Sequence, residues 1–124
     1  MTQNNCSPVG FELQTGSVYP SLPLLFRIIV VDPISDTRSV IYVGKSDNGA
    51  ADLLAKYDNN IQRLRADRSA RNGKRFRQVH WDLDKALKDG KSVVFELVRN
   101  VDPATESIAA AKIELQRAHT ALHD

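Results

Sequence analysis

The stretch S-V-I-Y-V-G-K-S, residues 39–46, is a β-branched apolar run that ends in Gly-Lys-Ser. A phosphate-binding loop of the G-x-x-x-x-G-K-[ST] type would need a glycine where Ser39 stands. Val40, Ile41 and Val43 also occupy the place where such a loop needs an open, glycine-permissive backbone. The stretch therefore predicts a β-strand and not a nucleotide-binding loop.

The residues before this stretch predict its partner strand. Residues 22–31, L-P-L-L-F-R-I-I-V-V, are almost continuously apolar and indicate a strand buried on both faces. Proline and aspartates at 32–36 supply turn residues, and the chain resumes as a strand over 37–43. So short a connection predicts an antiparallel hairpin.

The residues after Gly44 predict helices and one more strand. Apolar residues at helical spacing from Leu53 onward indicate one helix, or two short ones broken near Asp58. Residues 76–87 form an amphipathic stripe that Gly90 ends, and residues 92–98 form a third strand. Asp102 is the expected N-cap of a last, alanine-rich helix.

This order predicts an α+β fold with a small three-stranded antiparallel sheet flanked by helices. We expect one domain over residues 22–124 and a flexible N-terminal segment over residues 1–21. The 124 residues contain no apolar run approaching the ~20 residues of a membrane span. With no visible signal peptide and a lone Cys6, they predict a cytoplasmic protein without membrane contact.

Positive charge is concentrated between residues 63 and 77. Seven basic residues there face a single acid, Asp67. Such clusters are typical of proteins that bind nucleic-acid phosphates, but also of solvated helix faces and of surfaces that dock an acidic protein. The basic residues are Arg63, Arg65, Arg68, Arg71, Lys74, Arg75 and Arg77.

Tyr42-Val43-Gly44 at the end of a hairpin, followed by helices, a strand and a glutamate-bearing helix, resembles the GIY-YIG nuclease superfamily over residues 22–122. The resemblance implies a DNA endonuclease that uses Mg²⁺ or Mn²⁺. The first half of the signature departs from the family, because Leu25-Phe26-Arg27 lacks its tyrosine. The alternative is therefore a catalytically inactive module of the same fold that binds nucleic acid or a protein partner.

The resemblance also implies roles for particular residues. Tyr42 would handle the proton, either Arg63 or Arg65 would hold the scissile phosphate, and Glu114 on the last helix would bind the metal, with Glu106 as the open alternative.

Eight further residues complete the predicted site. Gly44, with a positive φ, and Lys45 would let the backbone and an ammonium approach a phosphate, while Arg68, Arg71, Lys74, Arg75 and Arg77 would extend the nucleic-acid contact. His80, on the apolar stripe of its helix, is either a general base or a hydrogen-bonded packing residue.

Overall fold

The structure is a computed structural model that describes the backbone of residues 9–70 and 75–123, with side chains up to His119. Four strands form one mixed sheet with the order β1-β4-β2-β3. The α+β class is confirmed, but the predicted three-stranded antiparallel sheet is wrong in strand number and direction. The strands are β1 Phe11–Gln14, β2 Leu24–Val31, β3 Arg38–Ser46 and β4 Ser92–Asn100.

The additional strand, β1, lies within the segment that the sequence predicted to be flexible. It pairs in parallel with β4, and Phe11 is opposite Val93. Phe11 is fully buried, and its ring lies 5.0 Å from that of Phe95. Burial of one phenylalanine is worth about 2 kcal/mol, which helps to hold so short a strand on the sheet.

The predicted hairpin is confirmed, although β3 is longer than expected. Strands β2 and β3 pair antiparallel from Leu24 opposite Ser46 to Val31 opposite Arg38. The Gly-Lys-Ser end of the opening stretch therefore lies within the strand.

Gly44 does not have the positive φ that we predicted for it. Its role is steric, because a Cβ there would lie 2.7 Å from Cε2 of Tyr42 and 2.8 Å from Cζ of Phe26. The rings of Tyr42 and Phe26 therefore occupy the space that a side chain at position 44 would need.

The helices depart from the predicted ends. Helix α1, Gly49–Arg65, runs without a break near Asp58, and α2 spans Gln78–Lys88. Helix α3 spans Ile108–His123, so the predicted start at Asp102 is wrong. Asp102 instead accepts the N–H of Ala104 in a turn, and Ser107 Oγ accepts the N–H of Ala110 at 3.2 Å as the N-terminal cap of α3.

The helices cover the two faces of the sheet unequally. Helices α1 and α2 lie over the face that contains Phe26, Ile28 and Phe95. On the other face, Ala111 of α3 packs against Leu25 and Val101. Within the described parts of the chain, no helix is long and apolar enough to cross a membrane.

Candidate nucleic-acid interface

A cleft of about 610 Å³ lies where the end of β3 meets α1 and the start of α2. Phe26, Tyr57 and His80 contribute aromatic walls, and Asp47 and Asp52 are the two carboxylates among its described lining residues. Cations outnumber these carboxylates and come from β3, α1, the segment before α2, and α3. They are Lys45, Lys56, Arg75, Arg77 and Lys112.

Arg77 is the central side chain of the cleft. Its backbone is extended at the N-cap position of α2, which directs the guanidinium toward the sheet. One terminal nitrogen donates to the hydroxyl of Tyr42 at 3.0 Å and the other to the hydroxyl of Tyr57 at 2.9 Å. The guanidinium also lies 5.2 Å and 5.6 Å from the two ring centroids, which is within the range of cation–π attraction.

The two tyrosines become hydrogen-bond donors in this arrangement. Burial raises the pKa of Tyr57 to about 12, although the charge of Arg77 opposes the rise. Tyr57 therefore keeps its proton at neutral pH. Since its oxygen and that of Tyr42 already accept from Arg77, their hydroxyl protons are available to an acceptor in the cleft.

His80 holds the start of α2 in place. Its Nδ1 accepts the backbone N–H of Arg77 at 3.1 Å, and its Nε2 lies 3.4 Å from the side-chain amide of Asn60. Burial, together with the positive charge of Arg77, lowers the pKa of His80 to about 4. Because Nδ1 accepts, the proton of the neutral ring is on Nε2, which lies against the side-chain amide of Asn60. A ring held in this way matches the packing role and not that of a general base.

This arrangement predicts a loss of stability in mild acid. Neutral His80 stabilises the fold fully above the pKa of about 6.5 of an unfolded histidine, and this contribution is lost as the pH falls toward 4. We expect the free energy of unfolding to fall by about 1 to 3 kcal/mol more in the parent than in His80→Asn between pH 7 and pH 4. Asparagine keeps an acceptor for Arg77 and does not titrate.

Urea unfolding at several pH values measures this difference. Ion pairs elsewhere, such as that between Asp84 and Arg65, are present in both proteins and cancel in the comparison. Equal pH dependence in the parent and in His80→Asn would contradict the assignment of His80.

The two arginines proposed to hold the phosphate do not line the cleft. Arg63 donates to Asn59 at 2.9 Å, and Arg65 pairs with Asp84 at 2.8 Å and so ties α1 to α2. Because α1 is unbroken, both lie at its C-terminal end. The structure brings Arg77 and Arg75 of the predicted basic cluster into the cleft instead.

The other predicted residues are dispersed. Tyr42 and Lys45 line the cleft, and Gly44 lies beneath the rings of Tyr42 and Phe26. Arg68 is exposed outside the cleft, whereas Arg71 and Lys74 lie outside the described residues.

The described side chains do not fit the predicted magnesium or manganese site. Among them, no three His, Cys, Asp or Glu residues lie close enough together to hold a metal ion. Lys45 binds Asp47 at 2.6 Å and Lys56 binds Asp52 at 2.8 Å. Glu114 is exposed outside the cleft, where its charge acts on Arg99, the ion-pair partner of Glu106.

Tyr57, Lys56 and Lys112 are among the cleft residues that were not predicted as site residues. Tyr57 belongs to the apolar stripe of α1, which the sequence predicts to be core, and it is indeed 6% exposed. Its hydroxyl reaches Arg77 only because α1 packs beside the start of α2. Lys56 and Lys112 are single cations on helices, and nothing in the sequence marks them as cleft residues.

No family model, curated protein or solved structure matches this chain. The fold and the cleft define the class of protein as a small α+β domain with a cationic, aromatic-walled cleft at the edge of its sheet.

Proposed function

We propose that the chain binds the phosphate backbone of a nucleic acid, in the first place DNA, in the cleft around Arg77. The observation that carries the proposal is the Arg77 guanidinium held between two tyrosine hydroxyls. Arginine matches phosphate geometry through its paired N–H donors, and each neutral hydroxyl adds a donor without adding charge.

The charges of the cleft support an anionic ligand. Lys45 and Lys56 are neutralised by Asp47 and Asp52. Arg75 and Lys112 have no ion-pair partner among the described residues. Their charges remain available to a ligand that carries several phosphates, as a nucleic-acid strand does.

Removal of these two charges tests the proposal. We expect Arg75→Gln/Lys112→Gln to reduce the slope of log affinity against log salt by roughly 1 to 2, since each lost phosphate contact contributes about 0.7 to 0.9. Arg38→Gln/Lys85→Gln is the matched control, because it removes the same charge at exposed positions outside the cleft. Fluorescence anisotropy with a labelled DNA strand at several salt concentrations measures both slopes.

Two outcomes would count against the cleft. If both double variants change the slope equally, the binding is unspecific attraction to the whole surface. If the parent binds an acidic peptide in preference to DNA, the cleft is instead a docking site for an acidic protein, as the sequence also allowed.

Hydrolysis of the bound DNA with Mg²⁺ or Mn²⁺ is a second candidate function. It is favoured by Tyr42, the tyrosine that carries the resemblance, because its hydroxyl lies in the cleft against Arg77. The carboxylates within the described residues do not assemble a metal site, so no catalytic step is assigned. The test is metal-dependent nicking of supercoiled plasmid. A rate about 100-fold lower in Tyr42→Phe than in the parent would support this candidate. An unchanged rate in that variant would exclude the role of Tyr42.

The cytoplasmic setting predicted from the lone Cys6 belongs to the same proposal. The proposed nucleic-acid ligand of the cleft would be encountered in the cytoplasm.

A further inference from the structure

A row of aromatic rings leads from the cleft to the surface of α2. The imidazole of His80 lines the cleft, and the ring of Phe76 stands nearly perpendicular to it at 5.8 Å. The indole of Trp81 lies 6.1 Å from Phe76, again nearly perpendicular. Trp81 is the one tryptophan of the chain, and 53% of it is exposed.

The position of this indole is unusual for a packing residue. A tryptophan contributes most to stability when its large apolar surface is buried, and much of Trp81 remains in water. Phe76 is half-buried and contacts the indole with its ring nearly perpendicular. About half of the Trp81 surface is therefore accessible to a ligand, beside a ring that supports it.

Cations flank this aromatic pair. Arg75 and Arg77, the sequence neighbours of Phe76, both line the cleft. An aromatic platform next to a cationic groove is the combination with which proteins bind single-stranded nucleic acids, since the groove follows the backbone and the rings stack on bases. In a duplex the faces of the bases are hidden in the stack and are not open to such a platform.

We propose that Trp81, supported by Phe76, stacks on an unpaired nucleobase while the adjoining phosphates lie in the cleft around Arg77. The preferred ligand is therefore single-stranded nucleic acid. This inference rests on the proposed function and specifies its ligand.

Tryptophan fluorescence tests the stacking directly, because all indole emission comes from Trp81. The probes are an oligothymidylate, an abasic strand of the same length and a duplex of the same length. We expect the oligothymidylate to quench the emission and the abasic strand to leave it nearly unchanged.

Affinity measurements on two variants complete the test. Trp81→Ala should bind the oligothymidylate roughly 5- to 100-fold more weakly and the abasic strand as the parent does. Trp81→Phe retains an aromatic face and should keep most of the affinity. Circular dichroism checks that both variants are folded, which we expect because half of the surface of Trp81 is exposed.

The outcomes separate the two proposals. Equal affinity for the oligothymidylate and the abasic strand, with unchanged emission, would overturn the stacking. Phosphate binding in the cleft would still stand if Arg75→Gln/Lys112→Gln weakens the binding of both strands. Tighter binding of the duplex than of the single strand would also overturn it. If none of the three probes binds, both proposals fail.

Discussion

Replacing Arg77 by glutamine is expected to weaken binding of a short DNA strand by about 10- to 100-fold at moderate salt. Hydrogen bonds to charged groups are worth about 1.5 to 3 kcal/mol, and Arg77 lines the cleft while its guanidinium binds the hydroxyls of Tyr42 and Tyr57. A guanidinium has five N–H groups, so donors remain after these two hydrogen bonds. Glutamine keeps polarity but loses both the charge and the paired donors.

The same change should also lower stability, which makes a matched control necessary. Tyr57 is buried, and its hydroxyl would lose the donation from Arg77, at a cost of about 1 to 3 kcal/mol. Arg77→Gln/Tyr57→Phe removes that unsatisfied group and should recover part of the stability without recovering affinity. Recovery of affinity in the double variant would mean that Arg77 only supports the fold.

Gly44→Val is expected to lower the free energy of unfolding by about 3 kcal/mol or more. The reason is steric, since even the first added carbon would lie within 2.8 Å of both Tyr42 and Phe26. Phe26 lines the cleft but is only 1% exposed, and it cannot move aside without displacing Tyr57 and Phe95, against which its ring packs. Thermal and urea unfolding measure the loss.

A double-mutant cycle separates this steric cause from a general intolerance of β3. Gly44→Ala combined with Phe26→Leu should be less destabilising than the sum of the two changes, because leucine frees the space where the Cβ would lie. Gly44→Ala combined with Phe11→Leu should be additive, since Phe11 lies at the opposite edge of the sheet. Strictly additive behaviour of the first pair would contradict the account of Gly44.

The parts of the fold that follow from local pattern were predicted from the sequence. The β2–β3 hairpin follows from two apolar runs and a short turn, and the end of α2 follows from Gly90, which has a φ of 78°. Strand β1 was missed because its four residues give too little alternation to identify a strand. Its identity as a strand depends on pairing with β4, far along the chain.

The candidate site was predicted only in part, for a similar reason. Tyr42, Lys45 and Arg77 were recognised from motif and charge, and all three line the cleft. Tyr57 has the helical spacing of a core residue, and no local pattern reveals that its hydroxyl meets an arginine from the next helix. The steric role of Gly44 was hidden because it depends on where two rings lie across the strand.

The central claim is that phosphates bind in the cleft around Arg77, and a map of backbone amide shifts by NMR tests it most directly. A single-stranded oligonucleotide is titrated into the labelled protein, and the shift changes are compared with those caused by sodium chloride. We predict that the largest changes fall on residues 45–48, on Tyr57, on residues 75–81 and on Lys112. Changes centred instead on the hairpin tip at Ile34 or on Arg99 and Glu106, with the cleft residues unmoved, would contradict the account.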